Sequence, residues 1–256
     1  MEKVLIAMTV LTSIPGVAKM TTKKIAYDVD TVRLESVLVY DDASPPRPGL
    51  LMVPNWMGVS AANLRQAELV ASRGYVVFVA DVYGAKGQPK NMDEAAKAAG
   101  ALKGDRQLLR KRVTAALAAL KAQKDAKLEV TKLAAIGFCF GGTAALELAR
   151  TGAPLAAVVT FHGGLSSPTP ADAKNITARV LALHGADDPF VPPDEVKAFE
   201  AEMRQGTIDW QLVSFGNAVH SFTDPDANVP GKQQYNEKVA RRAYQMMDTF
   251  LAESFQ

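Results

Sequence analysis

The chain of 256 residues carries one cysteine and only three histidines. A lone cysteine excludes an intramolecular disulfide framework and any zinc or iron–sulfur cage built from several thiolates. Excess charge of one sign is also missing, since 29 Lys and Arg against 27 Asp and Glu leave a formal net charge of +2. Nucleic acids and anionic membranes select large or clustered basic charge, so neither is expected as a partner, and a small molecule is. Gly (18) and Pro (14) are near average usage, which argues against collagen-like or low-complexity sequence. No segment reaches the roughly 18 uninterrupted apolar residues of a membrane-spanning helix. What is present is an ordinary globular composition, 48% apolar, and enough chain for a large core.

Residues 1–18, MEKVLIAMTVLTSIPGVA, stand apart. Lys3, the apolar run from Val4 to Ile14, and the small residues Gly16 and Ala18 outline a signal peptide cleaved before Lys19, although Glu2 offsets Lys3. A buried N-terminal strand is the alternative. The expected organisation is a signal peptide over 1–18 and a single domain over 19–256, with no membrane anchor in the mature chain. That places the protein in the periplasm or outside the cell if the segment is removed, and in the cytoplasm otherwise.

Extended segments around Lys23 to Tyr27 and Arg33 to Tyr40 precede the turn-rich DDASPPRPG and suggest an antiparallel edge. From Leu50 onward the pattern alternates. Strands are predicted at Leu50 to Val53, Tyr75 to Asp81, Leu133 to Phe138, PLAAVVTF, ARVLALHG and DWQLVSF. Helices are predicted from Ala61 to Arg73, stopped by Gly74, across the alanine-rich stretch, from near Gly142, at PDEVKAFEAEM, and from about Gln233 to the end. Leu109, Val113, Ala116, Leu117 and Leu120 share one helix face and are assigned to the core. Uniformly apolar strands between amphipathic helices indicate an α/β fold, a mostly parallel central sheet flanked by helices on both faces. Active residues then belong at the carboxyl ends of strands.

The segment IGFCFGG, Ile136 to Gly142, joins a predicted strand to a predicted helix and is a G-x-C-x-G nucleophile elbow. Glycines are needed at 137 and 141 because the turn leaves no room for side chains, and the helix N-terminus beside Cys139 favours thiolate over thiol. An inert buried cysteine in a glycine-rich turn is the alternative. LHGADDPFVP offers an acid at a strand end, Asp188, with Asp187 as the local alternative for capping the turn. Of the histidines, His184 lies in the turn before the acid and is assigned to packing. His162 follows a strand and could line the cleft, whereas His220, in the polar loop GNAVHSFTDP, is the best base. Cys139, Asp188 and His220 occur in the nucleophile, acid, base order of α/β-hydrolase sites. Oxyanion donors are expected from the N–H of Phe140 and, in the loop PNWMGVS, that of Trp56, with Gly58 letting the loop turn in.

GFCFGG, DDPFVP, AVHSF and DVYG together resemble the dienelactone hydrolase family, over nearly all of the chain from Lys23. The resemblance implies an α/β-hydrolase fold and a Cys139–Asp188–His220 triad that needs no metal or organic cofactor. It also implies Trp56 and Phe140 as oxyanion donors. The expected activity is cleavage of esters or lactones through a thioester, by a monomer or small homo-oligomer. Asn55, Tyr83, Lys86 and His162 are the candidates for the substrate cleft. The family's glutamate before the oxyanion residue is replaced by Asn55, and its two substrate-binding arginines correspond to Ala85 and Asp224. Lys86 beside Ala85 is a flexible point charge, not a bidentate fork. The other reading is a catalytically weak binding or thiol-sensor protein on the same fold.

Overall fold

The computed structural model describes residues 20–256; the signal-peptide expectation for 1–18 lies outside them. The first strands, β1 (Met20–Val29) and β2 (Val32–Asp41), form an antiparallel hairpin. β3 (Arg47–Val53), β4 (Val76–Val79), β5 (Leu128–Phe138), β6 (Ala157–Phe161), β7 (Arg179–Gly185) and β8 (Trp210–Phe215) complete a sheet ordered β1-β2-β4-β3-β5-β6-β7-β8. β3 to β8 are mutually parallel, and β2 pairs antiparallel with both β1 and β4. Only β2 therefore runs against the others, and the hairpin forms the antiparallel edge that the sequence suggests.

Helices cover both faces. α1 (Ala61–Ala71) and α6 (Glu237–Ser254) pack on one, where Ala67, Val70, Ala243 and Met247 meet Leu50, Met52, Val159 and Phe161. The opposite face carries α2 (Met92–Gly104), α3 (Arg106–Lys121), α4 (Phe140–Arg150) and α5 (Pro193–Met203). Alternate residues of one strand feed the two layers: Leu50 and Met52 belong to the first, Leu51 and Val53 to the second. The stripe Leu109, Val113, Ala116, Leu117 and Leu120 is buried on α3.

Several boundaries differ from the sequence reading, each for a local reason. Asp105 divides the alanine-rich stretch into α2 and α3, its carboxylate accepting from the Leu108 N–H as the N-cap of α3. The last helix begins at Glu237, not at Gln233, because Gln233 and Gln234 pair with Val229 and Asn228 as a small ribbon and Asn236 caps the helix. α4 starts at Phe140, two residues before Gly142, directly at the cysteine.

The order β4-β3-β5 reverses the direction in which the sheet is built, so the loops leaving β3 and β5 diverge from a shared crevice. Val53 pairs with Gly137 at that point. A buried ionic cluster holds the other end of α4 in place. Arg150 on α4 grips Glu202 of α5 through Nε and Nη2 at 2.7 and 2.8 Å and Glu147 through Nη1 at 3.0 Å. Arg110 of α3 donates to the other Glu147 oxygen at 2.7 Å. Replacing Arg150 with Met would leave the buried Glu202 carboxylate without a cation and Glu147 with its Arg110 contact, an expected loss of about 3–5 kcal/mol read from the urea midpoint of unfolding; an unchanged midpoint would show the cluster to be dispensable.

Candidate active site

Cys139 occupies the junction of β5 and α4 with φ +55°, ψ −119°, a conformation that a non-glycine residue holds only when its surroundings impose it. The surroundings are backbone. A Cβ on Gly137 would lie 2.0 Å from the carbonyl oxygen of Gly141, and one on Gly141 would lie 1.9 Å from that of Val53. The steric need for both glycines is thus met by the adjacent turn and by β3. The Cys139 N–H donates to Phe161 O at 3.0 Å, tying the elbow to β6, and the cysteine is half-buried.

Asp188 and His220 reach the same place from two other strands. Asp188 follows β7 in a turn closed by its own N–H to Gly185 O, and the Phe190 N–H donates to its Oδ1 at 2.9 Å. Its Oδ2 lies 2.7 Å from His220 Nδ1. Both residues are buried. The His220 carbonyl accepts from the Gln234 N–H at 3.0 Å, so the small ribbon after β8 anchors the loop that carries His220. Phe190, half-exposed, presents its ring edge-on to His220 with centroids 5.2 Å apart.

The electrostatics separate the three histidines. Burial opposes charge on His220, but Cys139 and Asp188 outweigh it and raise its pKa to about 10. Burial likewise opposes a Cys139 thiolate, and the His220 ring, the Phe140 N–H and, more distantly, Lys103 together bring the thiol below its ordinary value. Both shifts run in the direction that favours a thiolate–imidazolium pair. Burial first and the neighbouring His220 second push His162 well below 6.5. Burial also lowers His184.

Trp56 and its neighbours form a heavily braced loop. The Tyr83 hydroxyl donates to the Trp56 carbonyl at 3.0 Å, and the Tyr83 ring stacks on Phe140 with centroids 5.8 Å apart. Asn55 Oδ1 accepts from the Met57 N–H at 3.0 Å and from Asn63 Nδ2 at 2.8 Å. The Trp56 N–H has no acceptor among the described residues. The loop leaves β3 where Val53 pairs with Gly137, so it flanks the elbow. Gly58, at φ +64°, has no space for a Cβ against Gln88 Oε1 and Tyr83.

The candidate cleft residues divide. Asn55 and Tyr83 brace the loop with the atoms that could have met a substrate, Oδ1 and the hydroxyl. His162 is buried behind His220, rings 5.2 Å apart, with Nε2 2.8 Å from Thr223 Oγ1. Lys86 is exposed on the loop after β4, where the Ala85 N–H donates to Arg33 O. Lys103 on α2, not Lys86, is the lysine whose charge reaches Cys139. Sequence reasoning missed Asn63, Asp81, Gln88 and Thr223. Asp81 accepts from the N–H groups of Glu35, Tyr83 and Gly84 and from Gln88 Nε2, and Gln88 Oε1 accepts from the Val59 N–H. The available signal was the DVYG segment, whose aspartate sits at a strand's carboxyl end. No cluster of His, Cys, Asp or Glu suited to a metal ion occurs among the described residues.

The profile of the dienelactone hydrolase family matches residues 34–255. A crystal structure described as a dienelactone hydrolase-like promiscuous phosphotriesterase, P91, from metagenomic libraries is 40% identical. It superposes with a TM-score of 0.86, covering 93% of this chain and 99% of that one. A Caenorhabditis elegans protein, K02A2.1, is 34% identical over 57% of this chain and 94% of its own length. A Yersinia pestis protein provisionally named a carboxymethylenebutenolidase is 27% identical over 82% of this chain and 80% of its own.

The ion pair makes a pH prediction. The pH midpoint of iodoacetamide alkylation at Cys139 should lie below the ordinary thiol value of 9.0, whereas a midpoint at or above it would contradict the pair. The stability linkage has two signs. His220, raised above 6.5, contributes fully below that value and loses its contribution as the pH rises through about 10. Cys139, lowered, contributes above its ordinary value and loses the contribution as the pH falls through its folded value.

Proposed function

The chain belongs to the dienelactone hydrolase family, and from that premise we propose that it hydrolyses carboxylic esters or lactones with Cys139 as nucleophile, His220 as acid and base, and Asp188 as the residue that orients His220. The observation that carries this reading is the Asp188 Oδ2 to His220 Nδ1 contact of 2.7 Å beside a thiol whose pKa is lowered.

In this reading the Cys139 thiolate attacks the ester carbonyl carbon. The oxygen charge that develops is met by the Phe140 N–H, which the start of α4 holds at the sulfur, and by the Trp56 N–H. Collapse of the tetrahedral adduct breaks the ester C–O bond, and the His220 imidazolium gives its proton to the departing alkoxide. The product is an alcohol and a thioester. Neutral His220 then takes a proton from water, and the resulting hydroxide attacks the thioester carbonyl. The carboxylic acid leaves, the C–S bond breaks and the thiolate–imidazolium pair returns. Asp188 keeps Nδ1 occupied, so that Nε2 is the nitrogen available for proton transfer.

Asn55 cannot act as a base, and its oxygen is committed to Met57 and Asn63. Activation of the thiol therefore falls to His220. Ala85 and Asp224 stand where the family resemblance places arginines, so substrates without a carboxylate are favoured. The relative described as a promiscuous phosphotriesterase is consistent with a site of this kind accepting uncharged esters.

Cys139→Ala is expected to abolish turnover of p-nitrophenyl acetate while leaving the far-UV circular dichroism native. Asp188→Asn should lower kcat by about 10²-fold or more. Retained turnover in Cys139→Ala would overturn the proposal, and full activity in Asp188→Asn would remove Asp188 from it. Given paired neutral and anionic esters of the same alcohol, the enzyme should show the higher kcat/KM on the neutral one; a preference for the anionic ester would reverse the substrate assignment.

A further inference from the structure

His162 is a buried titratable residue that the proposed reaction does not use. Its ring lies among those of Phe138, Phe222 and His220, with centroids 6.2, 5.0 and 5.2 Å away. Phenylalanine would suit such surroundings. A histidine there gives up hydration, and its Nδ1 is buried with no hydrogen-bond partner among the described residues. The backbone is strained as well. With φ at +40° for His162, +58° for Ser221 and +55° for Cys139, three non-glycine residues in left-handed backbone meet at one site. Strain of this kind persists only where the surrounding structure imposes it, and it concentrates at functional positions.

What offsets these costs is the bond from the ring to Thr223, whose Oγ1 lies 2.8 Å from His162 Nε2. Thr223 belongs to the loop that carries His220. Behind it lies open space, because Thr223 is on the wall of a cavity of about 490 Å³ between α1 and α6, together with Gln66 and Tyr244. Hydrogen bonds therefore have to hold the loop where packing does not. On the side of the small ribbon, the Gln234 N–H donates to His220 O at 3.0 Å and the Asn236 N–H to Phe222 O at 3.1 Å. His162 is the tie to the sheet, since its own N–H donates to Leu183 O of β7 at 2.8 Å.

We propose that His162 is a positioning residue: through Thr223 it fixes the loop that carries His220, and through its ring it sets the plane of the His220 imidazole relative to the Cys139 sulfur. The inference rests on the ester-hydrolase reading, in which His220 moves the proton. Cys139 and Asp188 face His220, His220 faces His162, and the Tyr244 hydroxyl faces Thr223. Phe138, Phe190 and Phe222 complete the surroundings without charge. A thiolate at Cys139 depends on the nearness of His220, so a loosened His220 loop registers at the sulfur as well as in turnover.

Two variants cut the tie from opposite ends. His162→Phe keeps a ring, and Thr223→Val keeps the shape of the threonine. Each is expected to lower kcat for p-nitrophenyl acetate about tenfold with KM little changed, and to move the pH midpoint of Cys139 alkylation by iodoacetamide up toward 9.0. The double variant should lose no more than either single one, since both delete the same hydrogen bond. Alkylation needs no turnover, so a wild-type protein inactive on esters would sink the hydrolase reading while the midpoints still decide the role of His162. The proposal is overturned by unchanged kcat and unchanged midpoint in both single variants, which would reduce His162 to core packing, by additive losses in the double variant, or by a raised KM with kcat intact, which would place His162 against the substrate. If His162→Phe loses its native far-UV circular dichroism, Thr223→Val decides by the same readouts.

Discussion

The closeness of three backbones at the elbow is the constraint on which the site depends. Val53 at the end of β3, Gly137 in β5 and Gly141 in α4 approach until no Cβ fits between them. This contact forces Cys139 into a positive φ, and so lifts its sulfur out of the sheet. It also aims the start of α4 at that sulfur and brings the loop after β3 alongside. The Arg150 cluster at the far end of α4, buried and shared with α3 and α5, keeps that helix in register with the strands.

Within this frame a single chain makes three different histidines. All three are largely buried, which disfavours charge on each. His220 is hydrogen-bonded to the Asp188 carboxylate and to Cys139, and they reverse the sign of its shift, whereas the charges of Asp188 and Glu195 do not overcome burial at His184. His162 has a hydroxyl and an imidazolium for neighbours, and stays neutral. The charge of each ring is therefore set by its neighbours, and the ring behind His220 is the one least able to hold a proton.

The loop around Trp56 shows how much scaffolding a short segment needs. Trp56 is held through its carbonyl by Tyr83, Asn55 through its side chain by Asn63, and Val59 through its N–H by Gln88, which in turn is held by buried Asp81. Each brace fixes one peptide of a loop with no ladder of its own. Asn55 thus supplies the oxygen on which two of those hydrogen bonds converge, from the Met57 N–H and from Asn63.

The sequence by itself determined what depends on neighbours along the chain. The alternation of apolar strands with amphipathic helices, the G-x-C-x-G spacing and the order Cys139, Asp188, His220 were all legible, because periodicity and turn sterics are local. The boundaries that were missed, Asp105 and Gln233, are places where a capping carboxylate or a distant pairing partner decides the matter. Tertiary structure alone decided what depends on burial and on residues far apart in sequence. Examples are the charge state of each histidine, the bracing by Asn63, Asp81 and Gln88, and the commitment of Asn55 and Tyr83 to the loop. It also decided the space between α1 and α6, whose walls come from opposite ends of the chain. Those features are set by desolvation and by hydrogen bonds across the fold, and neither has a period or a spacing that a linear reading can detect.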